Sequence, residues 1–198
     1  MAIVRPQYKQ APEYGEYRIA LGSGAVIGIS AANPVFSLQW TSTSLAMVVK
    51  RVNFFWTITT AFGAAQNVAY GLYVARSYTV ADTGGTTSTL TTNNAKLKTS
   101  FPTTSVADMR IATTGTLTAG TRTLDAHPLA IKSGGSNTLG LGTFDPVNRE
   151  FGILDATNPI ILLQDEGLVL ANLVNYGATG VTTVYVELEW SEVATSKV

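Results

Sequence analysis

The sequence contains a single histidine, His127, in the stretch RTLDAHPLAIK, two residues after Asp125. On a strand this spacing places both side chains on one face, as in a general base that is oriented by a carboxylate. Such a base also needs a nucleophile, and the sequence has no nucleophile elbow or similar motif. The pattern therefore favours a structural histidine before a proline turn, and we expect a protein that is not an enzyme.

Candidate metal ligands are limited to oxygen atoms, because the chain has one histidine and no cysteine. The acidic residues are scattered and lack the spacing of a calcium loop. They include Asp82, Asp108, Asp125, Asp145, Asp155, Asp165 and Glu166. A calcium ion that bridges two loops is an open alternative, but we expect no metal and no other cofactor.

A glycine pair, Gly84 and Gly85, opens the polar stretch TGGTTSTLTTNNAKLK. A P-loop needs Gly-Lys-Ser/Thr at the start of a helix, where backbone N–H groups face a phosphate. Here the lysines come only at Lys96 and Lys98, so the stretch does not fit. Threonine-rich segments hydrogen-bond their own backbone and resist helix formation. The sequence predicts a long polar surface loop at about 81–100, and such loops on β scaffolds often carry binding.

Four basic residues, Lys96, Lys98, Arg110 and Arg122, suggest two interpretations. They could form a weak basic strip that meets an acidic partner, or they could be four separately solvated charges. We favour the second interpretation.

Composition argues for one folded domain with few charges. Of the 198 residues, 45% are hydrophobic and only 13% are charged, which is unlike a disordered chain. The zero net charge speaks against nucleic-acid binding, which normally requires a basic excess. A surface of Thr, Ser, Asn and Gly can bind other proteins without a large free-energy cost for desolvating ions. The composition therefore favours a role in assembly. The sequence has no signal-peptide apolar region and no long apolar run, so we expect neither Sec-dependent secretion nor a membrane partner.

The N-terminal residues 1–16 mix proline, tyrosine and charged residues without any period. This composition predicts an extended arm that becomes ordered on another surface, with a flexible tail as the alternative. Residues 17–198 are then a single β domain. Short apolar runs at 17–21, 25–30 and 35–40 predict its first strands, separated by Gly, Ser, Asn and Pro.

Two long strands are predicted next. Residues 44–62 are rich in β-branched and aromatic side chains, and the Lys50-Arg51 pair marks the expected bend or bulge. Residues 67–80 continue as a second long strand, although a helix over 64–75 competes with this interpretation. The alternating residues predicted to share one face of the second strand are Val68, Tyr70, Leu72 and Val74.

The clearest alternation is in the last strand, VTTVYVELEW at 181–190. One face carries Val184, Val186, Leu188 and Trp190, and the other carries Tyr185, Glu187 and Glu189. Apolar runs at 159–164 and 167–174 come just before it, separated by turn residues. We therefore predict a three-stranded meander over the last forty residues.

Short strands, glycine-rich turns and no convincing helix predict an all-β fold. About eight to ten strands in one domain favour a jelly-roll-like β sandwich. A double-sheet fold also limits the number of unpaired strand edges.

Three stretches in order carry a resemblance: YVARSYTVADTGGTTSTLTTNNAKLKTS, DMRIATTGTLTAGTRTLDAHPLA and NPIILLQDEGLVLANLVNYGATGVTTVYVELEW. They resemble structural proteins of tailed bacteriophages, and the threonine-rich block joined to TAGTRTLDA is the most specific part. The resemblance implies a virion component made in many copies, of the kind that cements or decorates a head shell. It implies no catalytic residues.

From these observations we expect a capsid cement or decoration protein that is assembled in the host cytoplasm and located in the phage head. Its expected partners are the major capsid protein and other copies of itself, in a homotrimer. In the arm, the residues expected to reach a neighbour are Val4, Pro6, Tyr8, Tyr14 and Tyr17. In the loop, the expected contact residues are Thr83, Thr86, Asn93, Asn94, Lys96 and Lys98.

Two alternatives stay open from the sequence. One is a tail or neck adaptor with a β-sandwich fold. The other is a jelly roll that binds host glycan, in which Trp40 or Trp56 would stack on sugar rings. Both tryptophans lie within apolar runs, so we expect them in the core.

Overall fold

Strands make up most of the chain in the computed structural model, which describes residues 14–90, 94–136, 147–150 and 159–198. Ten of the strands in these residues are four or more residues long, which confirms an all-β fold of the predicted size. The strands are β1 (Gly15–Gly22), β2 (Val26–Ile27), β3 (Pro34–Trp40), β4 (Leu45–Thr60), β5 (Gln66–Val80), β6 (Thr86–Thr87), β7 (Val106–Ile111), β8 (Thr121–Leu124), β9 (Ala130–Ser136), β10 (Val147–Glu150), β11 (Ile160–Leu162), β12 (Gly167–Asn172) and β13 (Val181–Ala194). One 3₁₀ turn, Thr195–Lys197, follows β13.

The strands form two antiparallel sheets. In the first sheet β13 lies between β1 and β4, β2 extends the β1 edge, and β10 and β11 pair with the far side of β4. In the second sheet the order is β6-β7-β3-β12-β5, and β8 and β9 pair with the two halves of β5. The arrangement is a β sandwich; its assignment as a jelly roll stays a prediction.

The core lies between the inward faces of the two sheets. Alternation along β5 buries Val68, Tyr70, Leu72 and Val74, so the predicted strand is confirmed and the helix over 64–75 is wrong. The last strand also faces as predicted, with Val184, Val186, Leu188 and Trp190 buried. The alternate residues Tyr185, Glu187 and Glu189 are partly exposed.

The bulge predicted in the long strand β4 is present. Arg51 pairs with Glu189 and Val49 pairs with Trp190, so Lys50 is the extra residue on β4. A bulge residue shifts the alternation of faces by one. As a result Val49 is buried while Lys50 and Arg51 are both partly exposed.

The predicted C-terminal meander is wrong. β11 pairs with β4 in the first sheet, β12 pairs with β3 and β5 in the second, and β13 returns to the first. All six residues of β12 are buried, which suits a central strand with both faces covered rather than the middle of a half-exposed meander. Successive strands of this region therefore alternate between the sheets.

The first sheet begins before the predicted end of the arm. Gly15 pairs with Glu192 and Glu16 pairs with Ser191, so the last two residues assigned to the arm belong to β1. The Glu16 carboxylate also forms an ion pair with Lys50 on β4. Backbone pairing and this ion pair hold the start of β1 in the sheet; residues 1–13 of the predicted arm lie outside the described residues.

Candidate interaction surface

The polar loop predicted at about 81–100 lies along the edges of both sheets. We call its described segments, residues 83–90 and 94–98, the strap. At its beginning Thr83 forms a β bridge with Thr118, and β6 pairs with β7. The Ser88 backbone N–H then donates to the carbonyl of Met109 at 2.8 Å. The first half of the strap is therefore the edge of the second sheet.

The second half of the strap reaches the first sheet. The Arg18 N–H donates to the Ala95 carbonyl at 2.8 Å, and the Leu97 N–H donates to the Glu16 carbonyl at 3.0 Å. Leu90 and Ala95 are buried in the main core. The strap thus connects the β7 edge of one sheet to the β1 edge of the other, where it occupies backbone groups that a bare edge would expose.

The glycine pair in the strap has a structural role. Gly84 and Gly85 have φ angles of 78° and 60°, in the left-handed region that favours glycine. A Cβ on Gly85 would collide with the backbone carbonyl of Ile111. The Gly84 carbonyl accepts a hydrogen bond from Arg110 Nη1 at 3.3 Å. The pair turns the chain from β5 into β6, with its backbone close to β7.

The strap also has an outer side. The side chains of Thr83, Thr86, Asn94 and Lys98 are exposed, and Lys96 is partly exposed. Asn94 Nδ2 donates to the Thr89 carbonyl at 2.9 Å, and Lys98 Nζ lies 5.4 Å from the ring centroid of Phe101. The predicted contact residue Asn93 lies outside the described residues. A partner-binding role for the others stays a prediction.

Tyr17 is a core residue, so its assignment to the contact residues of the arm is wrong. It has no exposed surface, and its ring stacks on Trp190 with centroids 5.4 Å apart and planes 22° apart. Its hydroxyl donates to the Pro102 carbonyl at 3.1 Å. Alternation along β1 turns Tyr17 inward, whereas Tyr14, just before the strand, is 52% exposed. Residues Val4, Pro6 and Tyr8 of the predicted contact set lie outside the described residues.

A buried carboxylate, Glu192, lies in the same region and was not singled out from the sequence. It is 1% exposed and accepts hydrogen bonds from Thr104 Oγ1 and from the Ser105 N–H, the latter at 2.9 Å. Burial raises the pKa of Glu192, and burial followed by the nearby Glu192 charge raises the pKa of Tyr17. The alternation of faces along β13 indicates that Glu192 is buried, because Glu192 follows Trp190 by two residues and so shares its inward face.

The interpretation of a basic strip on the surface is not supported for its two arginines. Arg110 Nε donates to Asp108 at 2.8 Å. Arg122 forms an ion pair with Asp82, and the side chains of this pair are only 6% and 0% exposed. The guanidinium of Arg122 lies over the Tyr78 ring, 5.9 Å from its centroid, and burial raises the pKa of Tyr78 to about 12. Both arginines are thus paired within the chain, so the favoured interpretation of four separately solvated charges is also wrong for Arg110 and Arg122.

His127 and Asp125 are not arranged as a general base and its orienting acid. His127 is exposed, in the turn between β8 and β9. The two carboxylate oxygens of Asp125 accept hydrogen bonds from Arg76, at 2.9 and 2.8 Å. These hydrogen bonds lower the pKa of Asp125. The carboxylate that would orient the histidine is therefore engaged by Arg76.

The two tryptophans considered as sugar platforms are in the core, as expected. Trp40 and Trp56 have no exposed surface. Trp40 Nε1 donates to the Leu45 carbonyl at 2.8 Å, and the Trp56 ring meets Tyr70 edge to face at 5.3 Å. Neither ring face is open to stack on a sugar.

Exposed apolar side chains gather at one end of the sandwich, which we call the arm end. β1 begins there and β13 ends there. The turn before β12 lies at the same end. Its Glu166 and Asp165 carbonyls accept hydrogen bonds from the backbone N–H groups of Trp40, the last residue of β3, and Tyr78, near the end of β5. Five of the eight large exposed hydrophobic residues in the described chain lie at this end: Tyr14, Val80, Leu97, Leu163 and Val198.

An open groove of about 550 Å³ lies at the arm end. Its walls are the turn between β3 and β4, the turn between β11 and β12, and the residues after β13. The lining residues are Ser42, Thr43, Ile161, Leu163, Gln164, Glu166, Thr195 and Val198. Leu163 and Val198 are 45% and 52% exposed, so the groove presents apolar surface to solvent.

In the described part of the chain, no three His, Cys, Asp or Glu side chains are placed to hold a metal ion. No helix in the same residues is long and apolar enough to cross a membrane. No family model, curated protein or solved structure matches the chain.

Proposed function

We propose that this chain is a non-enzymatic structural protein of a tailed-bacteriophage virion. It binds the major capsid protein on the head and stabilises the shell as a cement or decoration protein. The support from the sequence is the resemblance of the threonine-rich block and the two stretches that follow it. Self-association as a homotrimer belongs to the same proposal.

The observation that carries the proposal is the strap. Its backbone is held by both sheets, while Thr83, Thr86, Asn94 and Lys98 point to solvent. A segment held on a rigid scaffold loses little conformational entropy when it binds. Neutral hydroxyl and amide groups can also be buried against a partner without stripping water from ions. This outer side suits a lattice contact.

Cementing a shell does not require high affinity from each copy. When identical contacts repeat over a lattice and copies are linked to one another, the effective concentration of each contact rises. Modest polar contacts along the strap would then add up over the shell. The balanced charge of the chain keeps this binding free of long-range repulsion between copies.

The test begins with virions purified from a host that carries the gene. Mass spectrometry should find the chain in an amount comparable with the major capsid protein, and gold-labelled antibody should decorate the heads. Labelling of tails or necks at low copy number would instead support the adaptor alternative. If the chain is absent from the particles, the proposal is wrong.

A binding assay then tests the strap. Heads that lack the chain are mixed with purified protein and sedimented. Thr86→Glu places a charge on the outer side of the strap and should weaken co-sedimentation. Thr123→Glu is the matched control, because Thr123 is an exposed threonine on β8 at the opposite edge of the same sheet. Equal binding of both variants would count against the strap as the contact surface.

A further inference from the structure

We infer that the groove at the arm end binds the N-terminal segment, residues 1–13, of a second copy of this chain. The inference rests on the self-association part of the proposed function and does not depend on binding to a shell. It identifies where the arm of one copy attaches to the next.

The first argument is position. The Tyr14 N–H donates to the Glu192 carbonyl at 2.8 Å, so Tyr14, the residue that follows the N-terminal segment, lies beside the end of β13. The groove is lined by Thr195 and Val198, which follow β13 directly. Three strand spacings separate β1 from β11 in the sheet order, or about 14 Å. Thirteen residues can span up to about 43 Å, so the segment is long enough to reach such a groove on an adjacent copy.

The second argument is chemical fit. The segment MAIVRPQYKQAPE offers Ile3, Val4 and Tyr8 as apolar side chains. The groove offers Ile161, Leu163 and Val198, and the last two are about half exposed. Covering such side chains removes apolar surface from water, which is the main favourable contribution to association.

Charge supports the same pairing. The segment carries Arg5 and Lys9 against the single carboxylate Glu13. The groove wall carries Glu166, and Asp165 precedes it in the same turn. Opposite charges at the edge of a contact set its orientation and speed its formation.

The direction of the chain favours a second copy over the groove of the same molecule. β1 begins at the arm end and runs from there into the sandwich. Pro6 and Pro12 disfavour helical turns at the residues before them, which predicts an extended course. A segment that continued the line of β1 beyond the arm end would need a reversal to return to the groove of its own molecule. A contact from the arm of one copy to the groove of the next is heterologous, and such contacts build a ring when the rotation between copies closes, as the proposed trimer requires.

The experiment compares solution masses by light scattering over a range of concentrations. The full chain should associate above its monomer mass of 20.9 kDa, and a variant without residues 1–13 should stay monomeric. Leu163→Lys in the full chain should weaken association about tenfold or more, because it removes the apolar contact and repels Arg5 and Lys9. Ile131→Lys is the control, since Ile131 is also an exposed apolar residue, on β9 and outside the groove, and its variant should associate normally.

A synthetic peptide of residues 1–13 tests the site directly. Labelled peptide should bind the shortened protein saturably, and Glu166→Gln should weaken the binding while keeping a side-chain oxygen for the Leu163 N–H. A monomeric full chain would overturn the inference, even if the peptide binds, because the groove would then serve its own arm or none. Association that survives Leu163→Lys and the deletion would also overturn it. Failure to bind heads, with association intact, would remove only the shell-binding part of the proposed function.

Discussion

Tyr17 and Trp190 stack across the pairing of β1 with β13, with their ring centroids 5.4 Å apart and both side chains fully buried. The Tyr17 hydroxyl donates to the Pro102 carbonyl, and the indole N–H of Trp190 lies 3.5 Å from Glu192. The aromatic pair therefore packs the edge strand β1 and also contacts the segment that returns from the strap to β7. Loss of either ring should loosen both elements.

Trp190→Ala should destabilise the protein by about 3–5 kcal/mol, as expected for removing a large aromatic side chain from a core. Tyr17→Phe keeps the stack and removes only the hydrogen bond to Pro102, so it should cost about 0.5–1.5 kcal/mol. Urea unfolding followed by tryptophan fluorescence and circular dichroism measures both. An unchanged midpoint for Trp190→Ala would show that the inward face of β13 is assigned wrongly.

Glu192→Gln should change how stability depends on pH. Burial raises the pKa of Glu192 above its ordinary value of 4.5, so the folded protein binds this proton more tightly than the unfolded chain does. The stability from this group is then complete below about pH 4.5 and is lost as the pH rises through the folded pKa. Relative to wild type, the glutamine variant should therefore gain stability as the pH increases from 4 to 8. A difference in unfolding free energy between variant and wild type that is the same at every pH would contradict this prediction.

Strand positions were predictable where one face of a strand is apolar and the other polar. The alternation of Val184, Val186 and Leu188 predicted both the strand and its inward face. The charged pair Lys50-Arg51 within an apolar run marked the bulge, because two adjacent charged residues cannot alternate across a half-buried strand. These signals are local and need no knowledge of partner strands.

Pairing between distant strands was not predictable in the same way. Turn residues at 165–167 showed that the chain reverses, but not that it crosses to the other sheet. The strap was predicted as a polar loop, while its anchors Leu90 and Ala95 are isolated apolar residues without a period. The Asp82–Arg122 pair joins residues forty positions apart, and no spacing rule points to it. Such features depend on the packed sandwich as a whole.

Arg122→Met should destabilise the protein by about 3–5 kcal/mol, because it leaves Asp82 buried without its charged partner. Asp82 keeps only the hydrogen bond from the Gly120 N–H, at 2.7 Å. The control is Arg76→Met, which breaks the exposed ion pair with Asp125 and should cost about 0–1 kcal/mol. Chemical unfolding at neutral pH compares the two. Similar losses of stability for both variants would mean that the buried Asp82–Arg122 pair contributes no more than the exposed pair.

Three glycine-to-alanine variants separate steric collision from backbone strain. Gly85→Ala combines a positive φ with a collision against the Ile111 carbonyl, so it should destabilise most and loosen the strap. Gly115→Ala has a positive φ but open space, and should cost about 1–2 kcal/mol. Gly135→Ala on β9 has neither problem and should be neutral or slightly stabilising. Thermal unfolding gives the order, and a Gly85→Ala variant as stable as Gly115→Ala would contradict the close approach of the strap to β7.

Two deletions test where the arm ends and the sheet begins. Removal of residues 1–13 leaves β1 complete, whereas removal of residues 1–16 also takes Gly15 and Glu16 from the sheet. The longer deletion loses the ion pair of Glu16 with Lys50 and the carbonyl that accepts from the Leu97 N–H. It should therefore be the less stable variant, and hydrogen exchange should show faster opening at Leu97. Measurements at a concentration where both variants are monomeric exclude effects of association. Equal stability and equal exchange would place the boundary at residue 17, as the sequence predicted.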